Sequence, residues 1–114
     1  MVLGGFHPKE AERTKKSKMA VAILYEFPGM DQEQYDAIME ELDYSNQPTP
    51  GLLLHVSGPQ DDGWRTIEVW ESEETWQAYF DQNYSAAVQR YIQTFHVTFF
   101  PVHNVYLGQS TNSP

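Results

Sequence analysis

The 114-residue chain contains no cysteine. That excludes disulfides, thiolate zinc sites, iron–sulfur clusters and cysteine nucleophiles. Long apolar runs are missing too, and none approaches the roughly 20 residues needed to span a bilayer. Residues 19–24, the apolar stretch after a basic start, are too few for a signal-peptide core, so a cytoplasmic location without membrane association is expected. Cations are scarce beyond the start. Lys9, Arg13, Lys15, Lys16 and Lys18 precede Met19, whereas Arg65 and Arg90 alone follow it, among all the carboxylates except Glu10 and Glu12. So acidic a body repels phosphate backbones, which argues against a nucleic-acid partner. Glycine-rich phosphate loops, GxSxG, HExxH and HxxxH are absent, and no Ser/His/Asp order suggests a nucleophile.

Aromatic residues, by contrast, are abundant: seven Tyr, six Phe and three Trp, 14% of the chain. One domain of this length can build a core from them. Residues 1–18 read as a basic flexible tail, with an added leader or an upstream start as the plainer account and Met19 a natural beginning. Residues 19–108 form the domain, and 109–114 a flexible C-terminal tail.

Within the domain, 20–27 alternates, with Val21, Ile23, Tyr25 and Phe27 on one side, as a strand does. Pro28-Gly29 ends it. Asp31 and Gln34 make a capping box, and Tyr35, Ile38, Met39 and Leu42 form the apolar stripe of a helix stopping near Asp43. After a Pro/Gly-punctuated loop, 52–57 and 64–71 are strands joined by a turn over 58–63. Ser72 is the next N-cap, with Glu73 and Glu74 in the first turn. That helix carries Trp76, Tyr79, Phe80, Ala87, Val88 and Tyr91, with a break expected around Gln82-Asn83. A last strand is expected over 95–107, with Pro101 implying an edge or a bulge.

The order β-α-β-β-α-β implies an α+β, ferredoxin-like domain: a four-stranded antiparallel sheet with both helices on one face. Large apolar groups fall on both faces, with Leu52, Leu54 and Val56 expected on one and Leu53 and Trp70 on the other. Two helices cover a single side. A homodimer that closes two sheets on each other would cover the second.

This layout, with GLLLHVSGPQDDGW, the strand end IEVWES and the helix EETWQAYFDQNY, resembles the dimeric α/β-barrel superfamily. It looks closest to small proteins of the antibiotic biosynthesis monooxygenase type, over about residues 20–107. The resemblance implies cofactor-independent oxidation, by dioxygen, of flat polyphenolic, anthrone-like or quinol compounds; related members degrade haem. Such enzymes use an asparagine early in the chain, a tryptophan closing the third strand, and often histidines on the second helix. Here Trp70 matches the tryptophan. The first strand has no asparagine, and Tyr79 and Tyr84 stand where the family shows histidines.

If residues 59–62 form the hairpin loop, Gly51 lies opposite Trp70, Leu53 opposite Glu68 and His55 opposite Thr66. His55, Thr66, Glu68 and Trp70 then share one sheet face. Read as packing, His55 is a half-buried histidine bonded to Glu68 or to a carbonyl. Read as chemistry, His55 and Glu68 are the catalytic candidates, with His55 taking a phenolic proton. Trp70, Thr66, Tyr79, Phe80 and Tyr84 would then bind the aromatic ligand, although those aromatics equally suit a core or dimer contact. A His55/His103 metal pair has no supporting ligand spacing, and neither a metal nor a cofactor is expected. Haem binding would show as a Soret band. The competing reading is a non-enzymatic structural or regulatory homodimer with a packed interior. A cavity lined by His55, Glu68 and Trp70 would separate the two.

Overall fold

The computed structural model describes residues 19–91 and 94–108; both tails expected from the sequence lie outside them. β1 (Val21–Pro28) leads into α1 (Gln32–Leu42), then β2 (Leu52–Gln60) and β3 (Gly63–Trp70). The second helical layer is α2 (Glu73–Tyr79), a π-helical turn (Phe80–Tyr84) and α3 (Ser85–Tyr91), and β4 (His96–Pro101) completes the sheet. Strand order is β2-β3-β1-β4 with every neighbouring pair antiparallel, a ferredoxin-like arrangement. Among the described residues, no helix is long and apolar enough to cross a membrane.

Local chemistry sets the helix ends. Asp31 accepts from the Gln34 N–H while the Gln34 side chain accepts from the Asp31 N–H, the reciprocal box that satisfies two orphan donors. The helix stops at Asp43, which turns left-handed at φ 53°. Ser72 caps α2 through the Thr75 N–H. The expected break becomes a π turn in which the Ser85 N–H reaches back five residues to the Phe80 carbonyl. The extra residue keeps Phe80 and Tyr84 both buried.

Two expectations about the strands are corrected. The hairpin zips further than its composition suggests, pairing Gln60 with Gly63 around a turn at Asp61 and Asp62. Pro59 is tolerated because β2 is an edge strand. His55 therefore faces Glu68, and Ser57, not His55, faces Thr66. A bulge between Leu52 and Leu54 puts Leu52, not Gly51, opposite Trp70, and leaves Leu53 as the exposed extra residue rather than a partner of Glu68. Leu52 thus departs from the face of Leu54 and Val56. β4 ends at Pro101 instead of 107; one further bond joins the Val102 N–H to the Ala20 carbonyl, where β1 runs out.

Val21, Ile23, Tyr25 and Phe27 of β1 and Trp64, Thr66, Glu68 and Trp70 of β3 are buried beneath the helices. Ile38, Leu42, Trp76, Phe80, Tyr84, Ala87 and Val88 meet them there. On the opposite face Leu54, Val56, Ile67 and Phe100 are 41% to 59% exposed. Arg65 pairs with Glu26 across the β3–β1 ladder, and Arg90 of α3 pairs with Glu41 of α1, so both cations of the body are engaged locally. Exposed pairs of this kind contribute little stability.

Two close approaches require glycine. A Cβ at Gly51, where φ is +91°, would meet the Thr75 side chain at 2.6 Å. A Cβ on Gly63 would collide with the Phe27 carbonyl, and the neighbouring Asp62 carbonyl accepts from the Gly29 N–H at 2.7 Å. Because the obstacle at Gly63 is backbone, Gly63→Ala is expected to cost about 1–3 kcal/mol. Urea unfolding monitored by circular dichroism checks this; an unchanged midpoint would refute the tight β1–β3 contact.

Candidate active site

Glu68 sits two residues before the end of β3 with 1% of its surface exposed, facing the helices. A carboxylate in that position needs its lone pairs filled. Four donors fill them. Tyr25 Oη (3.1 Å) and Trp70 Nε1 (2.9 Å) donate to Oε1, and Tyr44 Oη (3.1 Å) and His55 Nδ1 (2.8 Å) donate to Oε2. The chain of donors runs outward on both sides. Trp76 Nε1 donates to Tyr25 Oη at 2.8 Å, and Tyr35 Oη lies 2.6 Å from His55 Nε2.

With Nδ1 on Glu68, the ring turns its Nε2 toward the Tyr35 hydroxyl. The carboxylate thus orients the ring, as the acidic member of a catalytic triad does for its histidine. His55 is 15% exposed at its side chain, and Tyr35, Tyr44 and Tyr79 around it are half-buried. These four are the accessible edge of a network whose inner members are sealed.

The phenols hold their protons tightly. Burial, reinforced by the Glu68 charge, pushes Tyr25, Tyr44 and Tyr84 well above the ordinary tyrosine value. Burial also raises Tyr35. Tyr79 is pushed up to about 12, burial outweighing a hydrogen bond with Tyr44 that lowers it.

The sequence-derived candidates divide by position. His55 and Glu68 are in contact. Trp70 is wholly buried, its indole N–H on Glu68 and its ring 5.4 Å from Tyr79. Thr66 is buried beside Glu68 on the same face of β3. Tyr79 stands at the accessible edge, 6.0 Å from Tyr44. Tyr84 and Phe80 lie deeper, packed on Tyr25 at 4.9 and 6.4 Å. His103 is exposed beyond β4, at the opposite side of the sheet from β2. Among the described residues, no group of three His, Asp or Glu side chains could hold a metal ion.

Sequence reasoning treated Tyr25, Tyr35 and Trp76 as packing residues and gave Tyr44 no role. A signal existed for Tyr25, since a tyrosine on a core-facing stripe must place its hydroxyl somewhere and Glu68 was a carboxylate within reach. Tyr44, after the helix cap, carried no pattern.

This architecture recurs in solved structures. A protein of unknown function from Nitrosomonas europaea superposes with a TM-score of 0.63 at 12% identity, over 82% of this chain and 98% of its own. SnoaB, a cofactor-independent oxygenase from Streptomyces nogalater, gives 0.56 at 10% identity over 78% and 97%. A dimeric ferredoxin-like protein of unknown function from Thermobifida fusca gives 0.55 at 15% over 75% and 93%. The chain has the ferredoxin-like fold of these proteins. No family model and no curated protein matches the sequence.

Because the five tyrosines have raised proton affinity in the folded state, the sign of their pH effect is set. Unfolding returns each to the ordinary value near 10, so their contribution is fully present below about pH 10 and is lost as pH rises beyond it. Stability should fall by up to about 1.4 kcal/mol per pH unit for each of them. Phenolate absorbance from Tyr25, Tyr44 and Tyr84 should develop together with unfolding; its appearance from them in the folded protein would contradict their burial.

Proposed function

We propose that the chain is a homodimer that binds a flat hydroxyaromatic compound at the Tyr35–His55–Tyr44–Tyr79 edge. Its chemistry is of the cofactor-independent oxygenase type. The observation that carries this reading is a phenol already poised on the base: Tyr35 Oη at 2.6 Å from His55 Nε2, with Nδ1 held by Glu68. A substrate hydroxyl in the place of Tyr35 meets an oriented proton acceptor. Moving its proton to Nε2 leaves an electron-rich aryloxide for dioxygen, and the imidazolium formed is stabilised by the Glu68 carboxylate. Trp70 and Thr66 back the site, Tyr79 supplies a ring face at its edge, and Tyr84 and Phe80 support it from beneath. The fold shared with an oxygenase supports the reading at the level of architecture.

A second reading has its own support. The inner network satisfies itself, and Trp70, Trp76 and Tyr84 are packed and sealed, as a structural or regulatory homodimer would need. Ligand binding separates the two. With a quinol or anthrone substrate, dioxygen uptake should fall at least about a hundredfold in His55→Ala. Thermal unfolding should show that the variant is folded. Unchanged uptake removes His55 as the base, and no uptake or binding by the wild type favours the packed dimer.

The dimer rests on the exposed face of Leu54, Val56, Ile67 and Phe100, apolar groups that a second sheet would cover. Ile67→Asp would place an unpaired charge in that contact from each copy. Dimer dissociation should rise at least about a hundredfold by sedimentation, with the protomer still folded. Wild-type protein that sediments as a monomer at micromolar concentration would end this assignment.

A further inference from the structure

In the helix-facing row of β3 that carries Glu68, two buried polar atoms have no hydrogen-bond partner: Trp64 Nε1 and Thr66 Oγ1. Both residues stand on β3 in the row that ends in Glu68 and Trp70, 8% and 0% exposed respectively. An indole N–H can only donate, and a buried donor without an acceptor is penalised. Packing alone asks for neither group, because Phe and Val would fill those volumes without the penalty. The ring of Tyr35 stacks on Trp64 at 5.2 Å while its hydroxyl ends on His55 Nε2. Ser57 faces Thr66 across the β2–β3 ladder, next to the His55–Glu68 pair. The Trp64 ring therefore adjoins Tyr35, and Thr66 lies between Trp64 and Glu68 in the same row of β3.

We propose that Trp64 Nε1 and Thr66 Oγ1 form an acceptor-binding subsite, which takes the carbonyl oxygen of a hydroxyaryl ketone whose hydroxyl engages His55. This rests on the reading of His55 as the ligand's hydroxyl acceptor. Alternate residues of a strand are about 6.6 Å apart, so Thr66 stands roughly that far along β3 from Glu68 and its partner His55. A fused bicyclic ring with its hydroxyl and carbonyl at opposite ends spans such a distance. Tyr35 yields its place on Nε2 to the ligand hydroxyl, and the carbonyl gives the orphaned donors their acceptor. The subsite selects for a second oxygen, since a ligand lacking it leaves the buried donors unpaired.

Calorimetric titration with 6-hydroxy-1-tetralone and with its deoxy counterpart, 5,6,7,8-tetrahydro-2-naphthol, isolates that oxygen. The wild-type dimer should prefer the ketone by about tenfold. Thr66→Val and Trp64→Phe should each cut the preference to about threefold or less. Thr66→Ser, which keeps the hydroxyl, should retain the preference, and it guards against a folding defect in the valine variant. Equal affinity of the wild type for both ligands, or a preference that survives both substitutions, overturns the subsite while His55 keeps its role. Binding of neither ligand overturns the hydroxyaromatic reading and the subsite with it.

Discussion

A carboxylate has been taken out of water on β3, and the arrangement of the interior follows from what that demands. Moving such a group into a low-dielectric core costs several kcal/mol unless its oxygens are matched by donors. Glu68 is matched by Tyr25 from the neighbouring strand, Trp70 from its own, Tyr44 from the loop after α1 and His55 from the edge strand. One side chain thereby ties together β1, β2, β3 and the α1–β2 connection. Removing a single donor would leave others poorly compensated, so the network acts as a unit.

The same demand prepares chemistry. Anchoring Nδ1 of His55 on Glu68 aims Nε2 away from the buried side, toward half-buried Tyr35. The phenols nearest the carboxylate resist ionisation through burial and its charge. Fold and chemistry remain separable. The ferredoxin-like frame supplies the sheet face on which Glu68 and His55 meet, and such frames host many activities. The network and its accessible edge carry the functional reading.

Sequence reasoning reached the shared face of His55, Thr66, Glu68 and Trp70 through a pairing that was two residues out. The conclusion survived because side chains alternate with period two, so an even slip changes partners without changing faces. The slip arose at Pro59 and Gly58, assigned to a turn by composition although an edge strand can keep both. The bulge at Leu53 went unseen because the run Leu52-Leu53-Leu54 has no alternation from which to read it. Tyr35 was legible as part of an apolar stripe, but its hydroxyl partner was not. Helical period specifies a face and says nothing of what lies opposite.

The order of chain segments alone determined the elements, their caps, the break in the second helical layer and the four-stranded antiparallel sheet. The caps and the break depend on residues within a few positions of one another, the strands on alternation, and the sheet on the order of elements with right-handed crossovers. Tertiary structure alone decided that His55 stands against Glu68, that Tyr25, Tyr44 and Trp70 complete the carboxylate's shell, and that Tyr35 rests on the imidazole. Those contacts join residues up to 43 positions apart. They form because a buried charge must find donors wherever packing brings them, and no local pattern records where that will be.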